Sequence, residues 1–275
     1  MDPSIVSGLF AAVVAIIATV AIERLGTRLG GLLATIPTTI IPASLGFWWT
    51  AQTPGEFENA LYAVSGGMLV NASFLYCWRV APGFFSASTL HTRLLKVTLF
   101  ALLVWTVLSF ALFSIVQTEI FSLKFLSFSF LAIQVGVGLA ACWKRPPEAK
   151  GSAPVGPITL LARGVLAGVA VGFSVWLASL GVPVIAGMAS VFPAIFLTTM
   201  VSVWISQGAA VPISAVSPMM LGSSSVSIYA LAAILTIPRF GAATGALTAW
   251  IASILIISLP SWFFLQWSRR EKVSS

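Results

Sequence analysis

Gly30-Gly31-Leu32-Leu33-Ala34-Thr35-Ile36-Pro37-Thr38-Thr39-Ile40-Ile41-Pro42 lies inside an apolar run that continues to Trp48-Trp49. The run is long enough to cross a bilayer, yet Pro37 falls near its middle. Proline lacks a backbone N–H and its ring clashes with the carbonyl four residues earlier, so a helix through this stretch breaks or kinks at mid-membrane. The chain then repeats the device. Adding 156 to the residue number carries Gly31, Pro37 and Trp48 onto Gly187, Pro193 and Trp204 without a gap. The same offset carries Gly8 onto Gly164 and Gly66 onto Gly222. Positions 8–75 hold eight Gly, three Pro and two Trp; about one same-type match is expected by chance, and five occur. Two interrupted apolar segments at corresponding places in two halves point to a transporter binding site.

Composition sets the class independently. Of 275 residues 59% are hydrophobic and 8% charged, against about 25% charged in an ordinary soluble domain. Mean hydropathy is +1.04. The expected fold is therefore all-α, a polytopic helical bundle whose first partner is the lipid bilayer. A net charge of +7 would suggest nucleic acid in a soluble chain. Here it reads as loop charge that orients the spans, and no basic run with interleaved aromatics suggests a nucleic-acid partner. Cys77 and Cys142 are too few for a disulfide framework and have no metal-site spacing.

Nine apolar segments reach spanning length, roughly 4–22, 29–49, 58–78, 95–117, 121–143, 159–180, 184–206, 211–236 and 241–267. With the N-terminus outside and the C-terminus cytoplasmic, the inner loops hold Arg24, Arg28, Arg79, Arg93, Lys96, Lys144, Arg145, Lys150, Arg163, Arg269, Arg270 and Lys272. The outer loops hold only Lys124 and Arg239. Twelve against two is the bias that orients membrane proteins. Positions 1–117 then form a first four-helix repeat, 118–157 a connector helix and cytoplasmic linker, 158–268 a second four-helix repeat, and 269–275 a cytoplasmic tail. A single connector inverts the second repeat relative to the first, an arrangement common in secondary transporters. Gly164, Gly168 and Gly172, and likewise Gly241, Gly245 and Ala249, recur every fourth residue. Small residues at that spacing let helices approach closely, within the bundle or between protomers of a homodimer.

All seven acidic residues fall in loops or at helix ends on these spans, no Lys or Arg sits at mid-membrane, and His91 lies in a basic loop. Proton relays, metal sites and general-base chemistry need such side chains inside the membrane. Neither an enzyme nor a cofactor or metal protein is expected. What remains at mid-membrane is uncharged: Thr35, Thr38, Thr39 and Ser44, then Ser65, Asn71 and Ser73, and in the second half Ser190, Thr198 and Thr199. Scattered hydroxyls usually bond to their own helix. The run Gly222-Ser223-Ser224-Ser225-Val226-Ser227 is denser, and four hydroxyls in five residues cannot all face one packing partner. Gln134 is the other buried amide. A half-helix beginning at Pro37 or Pro193 presents free N–H groups and a positive dipole end, while the preceding half ends in free carbonyls. The expected substrate site is accordingly Pro37, Thr38, Thr39 and Asn71 facing Pro193, Ser223, Ser224, Ser225 and Ser227. The expected function is a secondary transporter or facilitator for a small organic anion or polar neutral solute. The alternative is a non-transporting membrane scaffold or assembly subunit.

Overall fold

The structure, a computed structural model, describes residues 1–24, 36–85, 89–143 and 156–274, without the side chains of 21–24 and 269–274. Gly31, Thr35, Arg28 and most of the expected linker, 144–155, lie outside these residues. Every regular element among the described residues is helical. In chain order they are α1 (Pro3–Arg24), α2 (Ile40–Thr50), α3 (Pro54–Phe84), α4 (Leu90–Gln117), α5 (Leu123–Trp143), α6 (Pro157–Ser179), α7 (Pro183–Ser190), α8 (Ala194–Gln207), α9 (Ala210–Gly222), α10 (Ser224–Phe240), α11 (Ala242–Ser253) and α12 (Leu259–Ser274). A single π turn, Ile254–Ser258, joins the last two.

Eight helical stretches among the described residues are long and apolar enough to cross a membrane, which marks the chain as an integral membrane protein. They differ in what they face. In α3, 78% of the most apolar window is buried, whereas in α4 only 6% is. The α3 helix is therefore the central post and α4 an outer helix with an apolar face suited to lipid. At 31 residues, α3 is about 46 Å long, more than the roughly 30 Å hydrocarbon layer. Its start is set by Thr53, whose side chain accepts from the Glu56 N–H at 3.3 Å, and by Pro54 in the first helical position. Asp2 does the same for α1, accepting from the Ser4 N–H at 2.8 Å. The Ser4 hydroxyl, bonded to the same oxygen, and then that N–H hold the Asp2 carboxyl below its usual range.

Small residues fix the closest contacts. A Cβ on Gly8 would lie 2.8 Å from the Gly168 carbonyl oxygen, one on Gly172 would lie 3.1 Å from that of Ser4, and one on Gly164 would lie 2.7 Å from Ile16 Cδ1. Numbers fall along α6 as they rise along α1, so the two helices run antiparallel with their backbones touching. Between α3 and α7 the numbers rise together: Gly187 meets the Ala60 carbonyl and Gly67 meets Met188 and Val191. Those two run parallel. Two apolar clusters fill the bundle, one holding Ile40, Phe47, Phe57, Leu61 and Ile237, the other Phe74, Trp78, Trp204 and Met220.

Several boundaries differ from the sequence expectation for physical reasons. The seventh apolar segment is two helices, α7 and α8, with Val191–Pro193 non-helical between them. The eighth is α9 and α10, meeting at Ser223. Residues 36–39 are non-helical and α2 begins at Ile40, three residues after Pro37 rather than at it. Pro42 then occupies the third helical position, where a missing N–H removes no intrahelical bond. Arg79 and Arg163, expected in loops, lie inside α3 and α6, and Arg163 is only 6% exposed.

Candidate substrate site at the two helix breaks

At the second break the chain makes a tight turn about Pro193, with φ −74° and ψ 39° and the Ala194 N–H bonded to the Phe192 carbonyl at 2.7 Å. This is close to the inverse γ-turn. Proline suits it because its φ is already fixed there. The turn leaves the Val191 carbonyl outside the helical ladder. Asn71 of α3 takes it, donating from Nδ2 at 2.6 Å. The Asn71 carbonyl oxygen accepts in turn from the Trp105 indole N–H of α4 at 2.8 Å. Trp105 also meets Phe192 edge to face, ring centres 5.2 Å apart. The second break is thus gripped by one amide and one indole from two other helices.

In the non-helical stretch ahead of α2, Pro37 is buried, while Thr38 and Thr39 are half-buried. Thr39 precedes α2 without a side-chain cap, so the early N–H groups of α2 have no hydroxyl from it. One turn in, Ser44 donates to the Ile41 carbonyl at 2.9 Å and shares a 2.7 Å bond with the Tyr229 hydroxyl of α10. Both residues are fully buried. With the Ser44 proton committed to Ile41, Tyr229 is the donor of that pair.

The serine run is packed among protein groups. Ser223 donates to the Met220 carbonyl at 3.0 Å and accepts from Gln134 Nε2 at 3.2 Å. Ser227 donates to Gln134 Oε1 at 3.2 Å, and Ser224 to the Leu221 carbonyl at 2.6 Å. Ser224, Ser225 and Ser227 have no exposed surface. A single amide on α5 therefore bridges both ends of the run. Beside it, Ser127 of α5 bonds Ser65 of α3 at 2.9 Å, so α5 contributes its own polar face to the core.

The structure thus brings Asn71 to Val191 and Pro193, and brings Ser223 and Ser227 to Gln134. Thr38 and Thr39 stand in the non-helical stretch ahead of α2. Trp105, Tyr229 and Arg163 join the polar interior although sequence reading did not select them. Trp105 and Tyr229 look like ordinary aromatic fill in a span, and only their polar tips give them away. A separate cavity of about 400 Å³ opens between α3, α4 and α5, lined by Leu69, Tyr76, Val104, Leu112, Ile133 and Val137 among others. Its lining is mainly apolar, which suits an acyl chain better than a polar solute.

No protein-family description, curated protein or solved structure matches this chain.

Proposed function

We propose that the chain is a secondary carrier or facilitator that passes a small organic anion or polar neutral solute at mid-membrane, between the helices interrupted at Pro37 and Pro193. The observation that carries this reading is the non-helical backbone at both prolines, 156 positions apart. In a bilayer, non-helical backbone is tolerated only where protein buries it or where it lines a cavity. Paired discontinuous helices are how such carriers build their sites.

The reading includes an inverted repeat of four helices each. Helix boundaries support it: α3 runs 54–84 and α9 with α10 runs 210–240, an offset of 156 at both ends. Parity supports nine crossings. Antiparallel α1 and α6 need an even number of crossings between them; α3, α4 and α5 supply three, so one more is needed between α1 and α3, where α2 lies. The same parity gives the two termini opposite sides, with the twelve-to-two basic bias putting the N-terminus outside.

The full internal bonding of Ser223, Ser224 and Ser227 favours the scaffold reading instead, because groups already satisfied do not need a ligand. Uptake into proteoliposomes separates the two. Labelled carboxylates, phosphate and polyols would be tested with Asn71→Ala, Ser224→Ala and Ser225→Ala at matched incorporation. A lost ligand bond at a buried site costs about 1–3 kcal/mol, or roughly 5- to 150-fold in affinity. Uptake unaltered in all three variants removes this pocket and leaves the scaffold.

A further inference from the structure

We propose that the cavity between α3, α4 and α5 holds one acyl chain of an anionic phospholipid whose phosphate lies at Lys96. Such a site is independent of whether the chain carries solutes. The cavity measures about 400 Å³, within the size range of ligand sites. Its floor is buried, made by Val70, Ala72 and Cys77 of α3 with Met220 of α9, while Tyr76, Ile133 and Val137 of its lining are exposed. It therefore opens sideways, toward the bilayer. Water needs several polar partners to stay in such a space, and mainly apolar walls give it few. Walls with no atoms against them forfeit their dispersion contacts. In a membrane the apolar molecules that reach this opening are lipid chains.

The depth of the cavity fits a chain anchored at one surface. Asn71 meets Trp105 and Arg93 reaches Pro82, so α4 runs antiparallel to α3. Ser65 meets Ser127 and Arg79 reaches Ala141, so α5 runs parallel to α3. The end of α3, the start of α4 and the end of α5 thus share one side of the membrane. The length of α3 exceeds the hydrocarbon layer by about 16 Å. An even split puts Phe84 about 8 Å outside the layer and Lys96 close to its boundary. On α3 the lining starts at Cys77, about 10 Å from Phe84, and on α5 at Val137, about 9 Å from Trp143. On α4 it runs from Val104 to Leu112, about 12 to 24 Å beyond Lys96. The lining therefore begins just inside the boundary and reaches mid-layer, the range a tail covers when its phosphate lies at the boundary.

Charge at this end selects the headgroup. Lys96 is exposed and Arg93 half-buried. The Arg93 Nη2 donates to the Pro82 carbonyl at 2.5 Å, and its Nε has no partner among the described residues. The sequence adds Lys144-Arg145 directly after α5. No Asp or Glu lies at this end of α3, α4 or α5 among the described residues; Glu56, Glu58 and Glu119 stand at the opposite end. Anionic headgroups are favoured there over zwitterionic ones, by roughly fivefold for each Lys or Arg close to the surface. Apolar depth and basic rim together describe a lipid with a negative head, rather than a free fatty chain or a soluble anion.

The test uses the purified full chain, stripped of lipid by detergent exchange and then given palmitoyl-oleoyl phosphatidylglycerol or phosphatidylcholine. Bound lipid is counted by native mass spectrometry. The wild type is expected to hold one phosphatidylglycerol more tightly than any further copy. Ser73→Leu and Val104→Phe each add carbon to the cavity lining. Each should weaken that first lipid roughly 5- to 150-fold, the range of overpacking costs, and Val104→Phe serves should Ser73→Leu fail to fold. Leu103→Phe adds bulk outside the cavity, where α4 is 61% exposed, and should change nothing. Lys96→Gln should weaken phosphatidylglycerol about fivefold and leave phosphatidylcholine as it was. Equal retention in the wild type and both filled variants overturns the site. So does retention that falls in Lys96→Gln but not in Ser73→Leu or Val104→Phe, which is lipid held by surface charge alone. Phosphatidylcholine bound as tightly as phosphatidylglycerol overturns the anionic headgroup and the proposal with it.

Discussion

Replacing Asn71 with alanine tests the grip on the second break most directly. The change strands two buried groups, the Val191 carbonyl that Asn71 holds at 2.6 Å and the Trp105 N–H that it accepts at 2.8 Å. In soluble proteins each stranded group costs about 1–3 kcal/mol. Inside membranes measured couplings are smaller, averaging about 0.6 and reaching about 1.7 kcal/mol. Two bonds together therefore place the loss at about 1–3 kcal/mol, a roughly 5- to 150-fold change in the unfolding equilibrium. Steric-trap unfolding in bicelles would measure it. Trp105→Phe keeps the edge-to-face contact with Phe192 and removes one bond, so it should cost about 0.6–1.7 kcal/mol. The double variant should then cost clearly less than the sum of the two. Hydrogen exchange should rise at 192 and 194, the amides flanking Pro193, more than at the α1–α6 contact. An Asn71→Ala protein within about 0.5 kcal/mol of wild type, with effects additive to Trp105→Phe, would refute the idea that this amide holds the break.

Other outcomes follow from the same geometry. Gly187→Ala should destabilise by about 1–3 kcal/mol, because its Cβ would run into the Ala60 carbonyl; Gly83→Ala, with nothing within 4 Å, should be neutral or slightly stabilising, both read from denaturant midpoints. Gln134→Leu should cost more than Ser223→Ala or Ser227→Ala, since it removes a bond from both serines at once, and matched unfolding curves would rank the three. Single cysteines at positions 56 and 270 should label from opposite faces of sealed vesicles; labelling from one face would undo the crossing parity and the inverted pair together. The Asp2 carboxyl is held low by Ser4, so its support of the first turn of α1 is present above the ordinary carboxylate range and lost as pH falls through the lowered value. Amide exchange at residues 4–6 should therefore quicken as pH drops from about 6 to about 3 after correction for intrinsic rates, and Asp2→Asn should flatten that change.

Much of the fold was legible because the bilayer enforces it. Span length and apolarity leave little choice of secondary structure, and a mid-span proline leaves little choice of where pairing fails. Local chemistry set the finer positions. α2 starts at Ile40 rather than at Pro37, and Pro42 then falls at the third helical position, where its missing N–H costs no intrahelical bond. Arg163 read as a loop residue because helix ends carry no sharp mark in an apolar run that opens with Pro157. The serine run was harder still. Its density was visible, but its partner is Gln134, 89 residues away from Ser223 on a helix expected to be a plain connector. Pairings of that range depend on which helices become neighbours, and no local pattern encodes them.

The glycine contact between α1 and α6 has a consequence for how the chain is made. The face of α1 that carries Gly8 meets Gly168 and Gly172, which leave the ribosome long after α1 does. At 5–20 residues per second, the roughly 150 residues between Arg24 and Gly172 take about 8–30 s to synthesise. Throughout that interval the small-residue face of α1 rests against lipid or a membrane chaperone. Lengthening the 144–155 segment would prolong the wait without touching a contact, and slowing translation there would do so with no change in sequence. Yield in the membrane should then fall while the stability of the assembled protein stays the same.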